Sequence, residues 1–240
     1  MGKILAMMRV MKNAMALAVG AVALTGCGSP DMVDDSVMGQ IAELTAPAVA
    51  GITGRGQAAE PARPALSAEE MAARALAANP APLILVNLES TGATQVMAMT
   101  GENGGMRTYM TPNEQALIMR GGMLVGTKGL GNDLSVAEVQ NSASLIRARR
   151  SGQATRTNRY VGGDSVERPL PMTCSIATGQ GQSFALGGTS WNATQVVENC
   201  QGAGVEVQNT YLVTPSGQIP VSRQWVSPVL GYVTIQTIRP

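Results

Sequence analysis

From residue 82 to the C-terminus the chain is written in short runs that alternate bulky apolar with polar residues, and turn signals cut each run short. Period two sends successive side chains to opposite faces of a strand. A chain patterned this way over most of its length is excluded from the helical folds. The runs at 83–88, 94–100, 105–111, 114–119 and 123–127 are parted by Glu89-Ser90-Thr91-Gly92, Gly101-Glu102-Asn103-Gly104, Thr111-Pro112-Asn113 and Gly121-Gly122. Short strands joined by tight turns make an antiparallel meander. A Gly-rich segment, Lys128-Gly129-Leu130-Gly131-Asn132-Asp133, interrupts the rhythm, which returns at roughly 155–160, 170–177, 196–200, 205–213, 218–226 and 231–239. Thr214-Pro215-Ser216-Gly217 reads as the turn of a hairpin.

Two helices are expected beside the strands. Ser67-Ala68-Glu69-Glu70 reads as a capping box opening a helix over 68–78, which Asn79-Pro80 stops. Ser135-Val136-Ala137-Glu138 predicts a second, over 136–147, with Arg147, Arg149 and Arg150 where cations favour the helix dipole. The expected fold class is therefore mainly β: antiparallel meander sheets, as a sandwich or partly open barrel, with two short helices. In the run 205–213, Val207, Asn209, Tyr211 and Val213 share one face, so Asn209, and Gln224 in the following run, need hydrogen-bond partners if buried.

The N-terminus belongs to a different plan. Lys3, Arg9 and Lys12 precede an apolar run over 14–24, the anatomy of a secretory signal and too short to span a bilayer. Met7, Met8 and Met11 offer alternative starts within it. Leu24-Thr25-Gly26-Cys27 has the form of a lipobox: small residues let a peptidase reach the backbone, and the Cys27 thiol can take a diacylglyceryl group. Several acyl chains hold a protein on a membrane far better than one, at about 0.8 kcal/mol per buried CH₂. The residue after the cysteine is Gly28 rather than Asp, which resembles lipoproteins sorted to the outer membrane. Residues 1–26 are thus read as signal and 27–66 as the lipidated N-terminus and a flexible Ala/Gly/Pro tether with a short helix near 38–44. Residues 67–240 are read as a mainly β periplasmic domain.

Composition narrows the chemistry. Without residues 1–26 the chain carries 14 basic against 16 acidic residues, so no basic excess points to nucleic acid. Histidine is absent, which removes Ser-His-Asp and Cys-His catalysis and the usual His-based zinc sites. No metal or cofactor is expected. With only seven aromatic residues and 15 Met, the core must be aliphatic and thioether-rich. Cys174 and Cys200 are an even pair in an exported chain, which suggests a disulfide, contributing on the order of 3 kcal/mol through loop closure. Two buried thiols and a redox pair are the alternatives, the latter without C-x-x-C spacing.

The string Gly122-Met123-Leu124-Val125-Gly126-Thr127-Lys128-Gly129-Leu130-Gly131-Asn132-Asp133-Leu134 resembles the central motif of YjbF/GfcB lipoproteins. So does Ser222-Arg223-Gln224-Trp225-Val226-Ser227-Pro228, followed by Gly231-Tyr232. Asn158-Arg159-Tyr160, Cys174, Cys200-Gln201-Gly202 and Asn209-Thr210-Tyr211 fall between them in the order that family shows, and the resemblance covers about residues 80–240 plus the lipobox. The chain departs from it in having few aromatics besides Tyr109 and a longer Ala/Pro-rich tether. The resemblance implies a mainly β outer-membrane lipoprotein facing the periplasm, associated with secretion or assembly of extracellular polysaccharide, including group 4 capsule, and supplies no catalytic residues.

Three functions are weighed. A non-enzymatic component of polysaccharide export would bind the membrane through Cys27, with polysaccharide and outer-membrane export proteins as partners. In it Trp225 stacks on a sugar, with Arg223 and Gln224 as donors, or else packs in the sheet; periodicity does not choose. A carbohydrate hydrolase needs two facing carboxylates, for which Asp133, Glu138, Asp164 and Glu167 are candidates, Asp133 being equally suited to bonding the Gly-rich turn. A lipid or lipoprotein carrier needs an apolar cavity, which Met97, Met99, Met106, Met110, Met119 and Met123 could line or, as core, could fill. Lipidation is tested directly: Cys27→Ser should abolish labelling by a clickable fatty acid, and a mutant that still labels contradicts the lipobox.

Overall fold

The structure, a computed structural model, describes residues 66–240. The signal, Cys27, the tether and the helix expected near 38–44 lie outside the described residues. Chain order runs α1 (Ala68–Ala78), β1 (Leu83–Leu88), β2 (Ala93–Asn103), β3 (Met106–Met110), β4 (Ala116–Arg120), β5 (Met123–Lys128) and β6 (Asp133–Glu138). It continues through α2 (Gln140–Arg147), β7 (Gly152–Val161), β8 (Glu167–Leu186), β9 (Thr189–Gly202), β10 (Val205–Val213), β11 (Val221–Ser227) and β12 (Gly231–Arg239). All twelve strands belong to one antiparallel sheet in the order β5-β4-β3-β2-β1-β12-β11-β10-β9-β8-β7-β6. It is a meander broken once, where β12 returns to pair with β1, and it curls into a nearly closed barrel whose free edges are β5 and β6.

Those edges meet through side chains. Thr127 Oγ1 donates to Asp133 Oδ1 at 2.8 Å and accepts from Leu134 N at 2.9 Å, so one hydroxyl takes the place of a rung between β5 and β6. Gln224 reaches the same edge from β11. Its Oε1 accepts from Leu124 N at 2.8 Å, and its Nε2 donates to Gly122 O at 3.0 Å and Ser222 Oγ at 2.9 Å. Edge strands expose unpaired backbone groups, and buried backbone groups must find partners; Gln224 and Thr127 provide them.

The main core fills the barrel, with Val86, Met97, Leu117, Met123, Leu134, Ile146, Val196, Val213 and Val233 among its members. Strand β1 is apolar on both faces for a reason. Ile84, Val86 and Leu88 point inward, while Leu83 and Leu85 point outward beneath α1 with Ala72 and Ile238. Helix α1 is held at both ends. Ser67 and Glu70 form the expected capping box, and Arg239 donates to Leu76 O at 3.0 Å, Ala81 O at 3.3 Å and Asn79 O at the other end. The hairpin of β8 and β9 runs on past the barrel as a two-stranded ribbon, whose Phe184, Leu186 and Ala193 cover Leu212 and Val221 on the outer face. Gly187 at its tip (φ +57°) lies so close to β12 that a Cβ would come within 2.9 Å of Ile238 O.

Two expectations are corrected. Ser135-Val136-Ala137-Glu138 is strand, not the start of a helix. Asp133–Glu138 pairs with β7 around a bulge between Leu134 and Val136, which turns both Leu134 and Ala137 inward. Burial at the seam overrides the local capping pattern, and α2 begins only at Gln140, with Val139 as a cap that makes no side-chain bond. The second correction is length: β8 and β9 run past the expected bounds 170–177 and 196–200, through a Gly/Gln/Ser-rich tract. Gln224→Leu should destabilise the fold by about 1–3 kcal/mol, because Leu124 N and Gly122 O lose their buried partners. Urea unfolding checks this, and an unchanged midpoint contradicts it.

Candidate functional site

The inward parity of three neighbouring strands gathers an unexpected set of side chains. The buried residues on β7 are Ala154, Arg156 and Asn158; those facing them include Val196, Glu198 and Cys200 on β9 and Val207, Asn209 and Tyr211 on β10. Arg156 is 2% exposed and Glu198 fully buried, and they form an ion pair at 2.8 Å. Arg156 Nε donates to Asn158 Oδ1 at 2.9 Å. Glu198 Oε2 also accepts from Asn209 Nδ2 and the Tyr211 hydroxyl, each at 2.9 Å. The other oxygen, Oε1, is buried, as is Arg156 Nη2, and the Ser142 hydroxyl of α2 lies beside the carboxylate.

Burial by itself raises a carboxyl's pKa, but the Arg156 charge and the surrounding donors outweigh it and hold Glu198 below its ordinary value. Desolvation and then the Glu198 charge push the Tyr211 phenol well above its own. The cluster is therefore a fixed ion pair with a neutral tyrosine, sealed within the barrel. Asn209 extends it, since its Oδ1 accepts from Trp225 N at 2.7 Å. The β10–β11 ladder stops at Thr210 and Arg223, and beyond it Asn209 and the Tyr232 hydroxyl, which accepts from Gln208 N at 3.0 Å, carry the join.

The three residues nominated for a sugar fall into three environments. Gln224 is fully buried and occupied at the seam. Trp225, 5% exposed, packs with Leu170, Met172, Val207, Cys174 and Cys200. Only Arg223 reaches solvent, where it pairs with Glu89 through two bonds of 2.8 and 2.7 Å and lies 3.4 Å over the Tyr232 ring. Neither Gln224 nor Trp225 offers its side chain to a ligand in solution, because the seam and the secondary core have taken them.

Cys174 and Cys200 are directly opposite in the β8–β9 ladder and joined as a disulfide. Their sulfurs and a Glu198 oxygen lie within 4.8 Å of one another, but sulfurs bonded to each other are not thiolates that could ligate a metal.

The four carboxylates nominated for hydrolysis are also placed. Asp133 is bound into its own loop as well as the seam: Oδ2 accepts from Gly129 N at 2.9 Å and Oδ1 from Leu130 N at 3.1 Å. Glu138 and Glu167 flank Arg159 on the outside of the barrel. The Arg168 guanidinium and Val166 N–H hold the Asp164 carboxyl well below the usual range. Of the methionines, Met97, Met119 and Met123 are buried in the main core, and Met99 and Met106 pack against it.

With this geometry in view the comparisons are decisive. The family model described as group 4 capsule polysaccharide lipoprotein gfcB, YjbF matches residues 56–238. The chain belongs to this family. A solved structure titled the hypothetical lipoprotein YmcC from Escherichia coli (K12) is similar to it at 17% identity and a TM-score of 0.63, covering 70% of this chain and 89% of that one. At that identity it supports the fold alone. No curated protein matches the chain.

Sequence reasoning nominated the disulfide and asked for partners for Asn209 and Gln224, but passed over Arg156 and Glu198. The signal was present: both sit on the inward parity of alternating strands, where a charge is expensive unless paired. In this YjbF-family barrel Arg156→Met should cost about 3–5 kcal/mol by stranding Glu198, and replacing both residues by apolar ones should cost clearly less. Because Glu198 lies below its ordinary value of 4.5 when folded, its contribution should be complete above that pH and fade as pH falls through the folded value. Urea midpoints for the two variants at neutral and acid pH decide both points.

Proposed function

We propose that this chain is an outer-membrane lipoprotein, anchored by acyl groups on Cys27 and facing the periplasm, that serves secretion or assembly of an extracellular polysaccharide without catalysing a covalent step. The observation that carries the reading is membership of a family described as a group 4 capsule polysaccharide lipoprotein, over a matched region that takes in the barrel but for the last residue of β12. Supporting it, the Asp133 carboxylate is consumed by the β5–β6 loop, Glu138 and Glu167 are both paired with Arg159, and Asp164 is paired with Arg168. None of the described helices is long and apolar enough to cross a membrane; the reading places attachment on the lipidated cysteine. Its partners are then the polysaccharide and the outer-membrane proteins that export it.

A tethered module acts through high local concentration at its membrane. Anchoring should therefore matter more than any single surface carboxylate. Asp164→Asn and Glu167→Gln should leave polysaccharide output near wild type, whereas Cys27→Ser should reduce it strongly, both read in one secretion assay against protein level. A folded carboxylate variant that abolishes output, set beside an unlipidated form that retains it, would return the hydrolase reading to the front.

A further inference from the structure

Where α2 crosses the barrel end, a cavity of about 550 Å³ opens between one face of the helix, the β4–β5 turn and the β10–β11 loop. That volume lies in the range of small-molecule sites, about 300–1,000 Å³. Its walls are Val139, Gln140, Ala143, Ser144 and Arg147 from the helix side, Arg120 from the end of β4, and Ser216 and Gly217 from the loop. The two arginines carry no salt bridge among the described residues, and no carboxylate lines the cavity.

Arg147 is held in place by the backbone around it. Its Nε donates to Gly217 O at 3.1 Å, and its guanidinium lies against Gly121 so closely that a Cβ there would be 3.1 Å from Nη1. Gly121 (φ +56°) and Gly217 (φ +81°) both stand in the left-handed region that favours glycine. Both glycines therefore shape the turns on which the guanidinium rests. Fixing the side chain through Nε leaves the two terminal nitrogens without a hydrogen bond among the described residues, and these are the pair that binds a planar carboxylate through two parallel bonds. Arg120 stands by as a second cation. Gln140 and Ser216 bring amide and hydroxyl groups, and Ala143 with the Arg147 stem a small apolar surface, so the site can bond hydroxyls and pack the C–H face of a ring.

We infer that this cavity binds a carboxylate-bearing sugar unit of an acidic polysaccharide, with Arg147 as the carboxylate clamp and Arg120 as the supporting charge. The inference rests on the polysaccharide reading above and names the substrate class for it.

The test uses the full lipidated chain in nonionic detergent, titrated calorimetrically at low ionic strength with tetragalacturonate and with maltotetraose as the neutral counterpart. Tetragalacturonate should bind and maltotetraose should not. Arg147→Gln should weaken binding about tenfold or more, the equivalent of one charge-assisted pair. Arg147→Lys, which keeps the charge but not the fork, should recover only part of it, and Arg120→Gln should lose less than Arg147→Gln. Thermal unfolding of each variant shows that the fold is intact. Absence of binding, equal binding of the neutral oligomer, or full affinity in Arg147→Gln overturns the site. So does binding of phosphatidylglycerol, presented to wild type in mixed detergent micelles in place of the oligosaccharide and lost in Arg147→Gln, since it would make this a lipid headgroup site. Any of these results leaves the secretion assay free to stand; loss of the secretion phenotype with binding intact would instead remove the export reading.

Discussion

Closing a twelve-stranded sheet whose two edge strands follow each other in sequence, without a main-chain ladder between them, is the constraint on which the structure depends. Strands β5 and β6 are joined by a loop of only four residues, and that loop folds around the Asp133 carboxylate. The Thr127 hydroxyl then serves β6 while Gln224 serves β5 from the far side of the barrel. Each buried N–H satisfied in this way avoids a desolvation penalty of about 1–3 kcal/mol. The two strings that carry the family resemblance, 122–134 and 222–228, meet in space at this seam. What they encode is closure.

Closure also explains the interior. Once the edges are sealed, side chains on the inward parity of β7, β9 and β10 have no route to water, so Arg156 and Glu198 must neutralise each other. A buried pair of this kind adds little net stability, since desolvation offsets most of its attraction, yet losing one member is costly. Its use lies in position: Glu198 ties β7 to β10 through Arg156, Asn209 and Tyr211, and Asn209 hands the connection on to Trp225 where the β10–β11 ladder has parted. The disulfide and the Trp225 cluster then fill that half of the barrel.

Much of this was legible in the sequence because strands with one buried face alternate strictly. The boundaries of β1, β10 and β12 and the capping box of α1 follow from period and punctuation alone. The Ser135-Val136-Ala137-Glu138 pattern misled because a local helix signal competed with a tertiary demand, burial of Leu134 and Ala137 across a bulge, that no short window contains. The ribbon at the end of β8 and β9 was missed because Gly179, Gln180, Gly181 and Gln182 carry almost no apolar periodicity; register with β9 and contact with Leu212 and Val221 order it instead. For the candidate site, the sequence singled out Arg223, Gln224 and Trp225 together. It could not show that a bulge after Trp225 and the seam at Leu124 divide them among solvent, edge strand and core.

On the proposed reading the chain is a scaffold held at a membrane, with its most distinctive residues committed to building the barrel and the inferred ligand site at the barrel end beside α2. The central claim is that side chains close the barrel at the family's own motif. Amide hydrogen exchange of the full chain tests it most directly, at the Leu124 and Leu134 N–H groups, which donate to Gln224 and Thr127 rather than to a neighbouring strand. The account predicts protection comparable to the amides of β1 in the centre of the sheet, opening only with global unfolding. Exchange at these two amides as fast as in the exposed turns, with β1 still protected, would show an open seam and contradict it.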